Sequence, residues 1–165
     1  MGRTESFEEF YTGAVGRLLG QLFPVTGDLH EAEEIVQEAF TRAAARWSRL
    51  RDYDVPEAWV RRVAMNLAAD RGRNLRRQTK AIRKLRPPPE ELSASVEALA
   101  LAEALRTLPI RQRQVLVLHY LVDLPVDQVA RTLDMPDGTV KSLLARGRHA
   151  LAAKLGEAEE VLDPS

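Results

Sequence analysis

The chain has 165 residues, enough for one compact domain or two small ones, with 5% aromatics, no cysteine and a formal net charge of zero. The missing cysteines exclude a disulfide framework and a thiolate metal site, and His30, His119 and His149 lie too far apart for a ligand spacing. Abundant Ala, Leu, Val, Arg and Glu favour helices packed through aliphatic side chains.

Met1 to Glu9 lacks the basic-then-apolar order of a secretory signal. The most apolar stretch, Val115 to Leu124, is interrupted by His119, Tyr120 and Asp123 and falls short of the ~20 residues that span a bilayer. A soluble, cytoplasmic protein without membrane insertion is expected.

Phe10, Ala14, Leu18 and Leu22 recur every fourth position, with Val15 and Leu19 beside them, and predict a first helix over 7–23 that breaks at Pro24 to Asp28. Asp28 can cap a second helix, with Glu31 placed for a capping box. That helix would bury Ala32, Ile35, Val36, Ala39, Phe40, Ala43 and Trp47. Glu31, Glu34, Gln37 and Glu38 occupy its other side. On spacing alone they read as a solvated face helped by the helix dipole.

Ser48 to Val55 carries Arg49, Arg51, Asp52 and Tyr53 without a helical stripe and reads as a connecting loop. Pro56 opens a third helix that runs to about Arg77, with Trp59, Val60, Val63, Ala64, Leu67 and Ala68 inward. Trp47 and Trp59 sit on apolar stripes and are assigned to packing. Between residues 57 and 86, ten bases meet only Glu57 and Asp70. Arg62, Asn66, Asp70 and Arg73 fall broadly along one face. A ladder of surface ion pairs would not use so many uncompensated bases. Arg can neutralise phosphates and Asn can hydrogen-bond an unpaired base, so this face is read as DNA-binding.

Pro87, Pro88 and Pro89 cannot continue a helix and favour a semi-rigid spacer, which places a linker at 79–93. A second module opens at Ser93 or Ser95, runs through Val96, Leu99, Ala100 and Leu105, and breaks at Leu108-Pro109. The next helix, Ile110 to Leu121, would bury Val115, Leu116, Leu118 and Leu121. After Pro125, Val126, Val129, Ala130 and Leu133 form one stripe. Asp134 to Gly138 stops and restarts the chain. The following helix buries Val140, Leu143, Leu144 and Leu151 and leaves Thr139, Lys141, Ser142, Ala145, Arg146 and Arg148 for another surface. This is a helix-turn-helix, whose second helix suits a major groove. Gly147 inside that helix costs about 1 kcal/mol relative to Ala; a close approach to DNA or to a partner helix would explain it. Gly156 to Ser165 is acidic and expected to fray.

Four blocks carry a resemblance. They are His30 to Phe40, Ala58 to Asp70, Leu108 to Leu116 and Gly138 to Ser142, in this order and with this linker. The chain resembles a bacterial RNA polymerase sigma factor, of the extracytoplasmic-function type (group 4 of the sigma-70 family). The resemblance implies an all-α protein of two small helical domains joined by a Pro-rich linker, the second containing the helix-turn-helix. Residues 1–78 would be a region 2-like domain, 79–93 the linker, 94–158 a region 4-like domain and 159–165 a tail.

Such a protein binds core RNA polymerase and directs promoter-specific transcription initiation by recognising and opening promoter DNA. The resemblance turns the acidic face, Glu31, Glu34, Gln37 and Glu38, into a surface for the polymerase clamp. It assigns the minus-ten element to Arg62, Asn66, Asp70 and Arg73, with Asp52 and Tyr53 in a loop that captures a flipped base, a step costing a few kcal/mol. The minus-thirty-five element falls to Thr139, Lys141, Ser142, Arg146 and Arg148. An anti-sigma factor is an expected partner. No cofactor and no metal are expected, and RNA synthesis belongs to the polymerase, so the chain itself is not read as an enzyme. A regulator that worked without polymerase would have no use for the acidic helix, and a protein-only adaptor none for the cationic one.

Overall fold

The computed structural model describes residues 5–78 and 102–162, with side chains over 5–73 and 102–156. All regular structure among the described residues is helical. The linker at 79–93 and the helix start at Ser93 or Ser95, with Val96, Leu99 and Ala100, lie outside them.

Helix α1 spans Phe7–Thr26, and its Ser6 cap accepts from the Glu9 N–H at 3.2 Å. Pro24 does not end it, contrary to the sequence expectation; it sits inside the last turn. The stop comes three residues later at Gly27, whose φ of 73° favours a residue without a Cβ and whose N–H returns to Phe23 O at 2.8 Å. Helix α2 spans Leu29–Ala45, and Asp28 Oδ1 caps it by accepting from the N–H groups of His30 and Glu31. The Asp28 N–H itself donates to Thr26 Oγ1.

The segment expected to be a loop begins with a single helical turn, α3 (Trp47–Leu50), followed by turns over 51–54. Helix α4 then spans Pro56–Gln78. Helices α1, α2 and α4 close around Leu18, Leu22, Ile35, Phe40, Val60 and Met65, all buried. Trp47 stacks on Phe10 at a centroid distance of 4.9 Å and closes one end of this bundle with Phe7, Tyr11 and Phe40. Trp59 is half-buried, with the Arg46 guanidinium 5.9 Å over its ring.

In the second module the described helical residues 102–106, α5, precede α6 (Ile110–Leu116). The chain widens into a π-helical turn over Val117–Leu121, where the Val122 N–H reaches back to Val117 O. The wider turn rotates the apolar stripe off the core. Val115, Leu116 and Leu118 are buried as expected, but Leu121 is 57% exposed, which corrects its place in the stripe.

Helix α7 (Val126–Leu133) starts after Pro125 and ends at Asp134, which adopts the left-handed conformation with φ 53°. Helix α8 runs from Asp137 to Leu162, so helical backbone continues through most of the segment expected to fray. Gly147 explains how α8 lies so close to α6. A Cβ there would stand 3.0 Å from Leu116 Cδ1 and 3.2 Å from its Cγ, so the glycine serves a partner helix.

The two modules also meet directly. Helix α6 enters the cleft between α1 and α4, and α7 packs against α4. Buried side chains from both modules form one cluster, from Phe10 to Leu144. Gln114 is fully buried in the contact, its Nε2 donating to Met65 O at 2.7 Å, and Arg113 Nη1 donates to Val25 O at 2.6 Å.

Candidate polymerase and promoter surfaces

On α4, Arg62, Asp70 and Arg73 are exposed and Asn66 is half-buried. Asp70 pairs with Arg73, so a carboxylate on this face is neutralised locally. The same helix contains cations that serve the fold. Arg61 is buried, its Nε donating to Gln21 Oε1 at 3.0 Å and its Nη2 to Glu57 Oε2 at 3.3 Å. Arg17 reaches Glu57 Oε1 at 2.6 Å. Burial lowers the Arg61 pKa, and the Glu57 carboxylate opposes that shift. Arg71 turns to Glu34 on α2 at 2.9 Å. Arg61 therefore leaves the tally of bases available to DNA, whereas Arg71 is held only by an exposed pair.

The turn after α3 presents Asp52 and Tyr53 to solvent, Tyr53 being 52% exposed. Their backbone N–H groups return to Arg49 O and Leu50 O, which anchors the turn to α3. An aromatic ring held out on a pinned backbone can stack on a base without first leaving a core.

On α8, Thr139, Lys141, Ser142, Arg146 and Arg148 are all exposed. At ~100° per residue, Thr139, Ser142 and Arg146 share one side, while Lys141 and Arg148 lie roughly 140° round the helix. Arg146 Nη2 donates to Ser142 Oγ at 3.0 Å, which joins those two groups into one unit. Arg148 instead donates to Tyr120 Oη at 2.9 Å and flanks an apolar groove. That groove, of about 470 Å³, is lined by Pro24 from the first module and by Leu105, Leu116, Tyr120 and Leu155 from the second.

On α2, Glu34 and Gln37 are exposed, and Glu31 and Glu38 half-buried. Glu34 meets His30 and Arg71, Glu38 meets Arg42 at 3.1 Å, and Gln37 Nε2 donates to Tyr11 Oη at 2.7 Å. Exposed pairs of this kind add little stability and exchange readily for other cations.

Sequence reasoning missed Gln114 and Arg113. One signal was present: Gln114 lies four residues after Ile110 and four before Leu118, on the inward stripe of α6.

Helix-turn-helix, cationic helix and acidic helix on an all-α frame define a class of DNA-binding initiation proteins, and comparison with known proteins makes the class specific. Sigma-70 region 2 matches residues 10–87, and Sigma-70, region 4 matches residues 98–151. The ECF RNA polymerase sigma factor SigW of Bacillus subtilis (strain 168) is 31% identical over 162 residues, covering 81% of this chain and 80% of the relative. RNA polymerase sigma-E factor of Streptomyces coelicolor is 28% identical over 157 residues, covering 94% of this chain and 89% of the relative.

Among solved structures, the Mycobacterium tuberculosis extracytoplasmic function sigma factor SigJ aligns with a TM-score of 0.66 at 26% identity, over 88% of this chain and 53% of that one. The sigma factor RpoE of Bartonella quintana, solved with the anti-sigma factor NepR, shares the fold with a TM-score of 0.72 at 20% identity, over 91% and 96% of the two chains. The chain belongs to the extracytoplasmic-function sigma factors of the sigma-70 family. Its function is promoter-specific transcription initiation through RNA polymerase. Among the described residues no helix is long and apolar enough to cross a membrane.

Proposed function

We propose that three surfaces divide the work of initiation. The acidic face of α2, with Glu31, Glu34, Gln37 and Glu38, docks a cationic part of core polymerase. Arg62, Asn66, Asp70 and Arg73 on α4, with Asp52 and Tyr53 in the turn before it, hold the opened minus-ten strand. Thr139, Ser142 and Arg146 on α8 read the minus-thirty-five duplex, with Lys141 and Arg148 on the flank toward phosphates. The region 2-like unit is 1–78, the linker 79–93, the region 4-like unit 94–158 and the tail 159–165. The chain contributes no catalytic group, and it works in the cytoplasm, where polymerase and promoters are. An anti-sigma factor that covers these faces is the proposed regulator; the sigma factor RpoE of Bartonella quintana was solved in complex with one, NepR.

The observation that carries this division is that the three polar faces lie at the surface of separate helices, while the buried Arg61 of α4 is spent on the fold. Asn66 provides the test. Asn66→Ala is expected to reduce permanganate reactivity of the minus-ten thymines in polymerase complexes about tenfold or more, with protection of the minus-thirty-five duplex retained. Equal loss of both signals would reject the division of labour.

A further inference from the structure

A cation from outside α4 stands beside the face proposed for the minus-ten strand. On α4, Trp59 precedes Arg62 by three residues, Asn66 by seven and Asp70 by eleven. At ~100° per residue, these side chains leave the helix within roughly 60° of the Trp59 direction. Trp59 is half-buried, and the Arg46 guanidinium carbon lies 5.9 Å from its ring centroid, a cation–π contact. The contact brings a charge from the junction of α2 and α3 onto the side of α4 that presents Asn66.

The junction fixes the Arg46 backbone at both ends. Its N–H donates to Ala43 O at 3.1 Å, and its carbonyl accepts from the Arg49 and Leu50 N–H groups, each at 3.0 Å. Leu50 is buried, and its own carbonyl accepts from the Tyr53 N–H. Arg46 and Tyr53 therefore project from one short hydrogen-bonded frame. Charge separates Arg46 from the cations of α4. Arg61, Arg71 and Arg73 each meet a carboxylate, whereas no ion pair reaches Arg46 among the described residues. Arg46 is exposed, and a guanidinium resting on a ring keeps its N–H edge available. Such an edge fits a phosphate, which accepts two parallel N–H bonds. We propose that Arg46 contacts a backbone phosphate of the opened minus-ten strand, and that the Trp59 ring holds it in place for that contact. This rests on the minus-ten surface proposed above. A contact of this kind adds affinity and sets the path of the strand, but it carries no sequence preference.

The test uses the full chain bound to core polymerase. The probe is a labelled single strand that spans the minus-ten element of a promoter this complex uses. Arg46→Gln is expected to weaken strand binding and to make the plot of log affinity against log salt shallower by about 0.7, the share of one single-strand phosphate. The loss should be the same for the matched strand and for strands with substituted bases. Arg46→Lys keeps the charge and should keep the slope. A folded Arg46→Gln protein with an unaltered slope would overturn the phosphate contact and leave Arg46 as packing on Trp59. So would a loss confined to one base, or a Lys variant as shallow as the Gln one. Trp59→Leu tests the ring. In that background Arg46→Gln should cost about threefold less affinity than in the wild type, and an equal cost would overturn the ring's part. Wild-type complex that does not retain the strand, or Asn66→Ala protein that retains it undiminished, would instead sink the minus-ten surface.

Discussion

Arg61 and Arg62 are neighbours with the same side chain and opposite fates. Arg61 is buried against Gln21 and Glu57, and Arg62 faces solvent. Arg61→Ala removes one side of a buried pair and should destabilise the fold by about 3 kcal/mol. Arg62→Ala should alter stability by less than ~0.5 kcal/mol yet weaken minus-ten binding; urea unfolding and a strand-opening assay separate the two. On α8, Arg146→Ala should cost ~1–3 kcal/mol of minus-thirty-five affinity if it reads a base, measured by titration of labelled duplex into the polymerase complex. Composition showed an excess of bases on α4 but not which of them meet a carboxylate. Arg61 and Arg71 meet Glu57 and Glu34, 4 and 37 positions away, and the second partner is not legible from spacing along one helix.

At the scale of elements, the helices and their order were legible because aliphatic stripes at helical spacing have few alternative readings. Their ends were less so. Pro24 looked like a stop, but the helix tolerates the one N–H it lacks, and Gly27 supplied the left-handed residue that ends α1. Leu121 looked buried because a uniform 3.6-residue period was assumed, and the π-helical turn broke it. Gly147 looked like a cost on α8 and proves to be the contact point with Leu116 on α6. Gly147→Leu should therefore overpack that crossing and lower stability by ~1–3 kcal/mol in chemical denaturation. On α2, the pair Glu34→Lys and Glu38→Lys should weaken binding to core polymerase at least tenfold. Binding of the minus-thirty-five duplex to the free chain should be unchanged. Equal loss in both assays would mean that α2 supports the fold and not the docking.

For the molecule as a whole, the two modules were visible in the sequence through the three prolines and the change of pattern around them. Their contact was not. It depends on Gln114 and Arg113 meeting backbone oxygens of residues 49 and 88 positions away, and local pattern does not encode an acceptor that any residue type could provide. The most direct measurement is the genome-wide mapping of transcript 5′ ends made by purified core polymerase with and without this chain. The expected result is a discrete set of new starts, each preceded by two short sequence elements at constant spacing. Identical starts at identical abundance, with folded and inhibitor-free protein present, would contradict it.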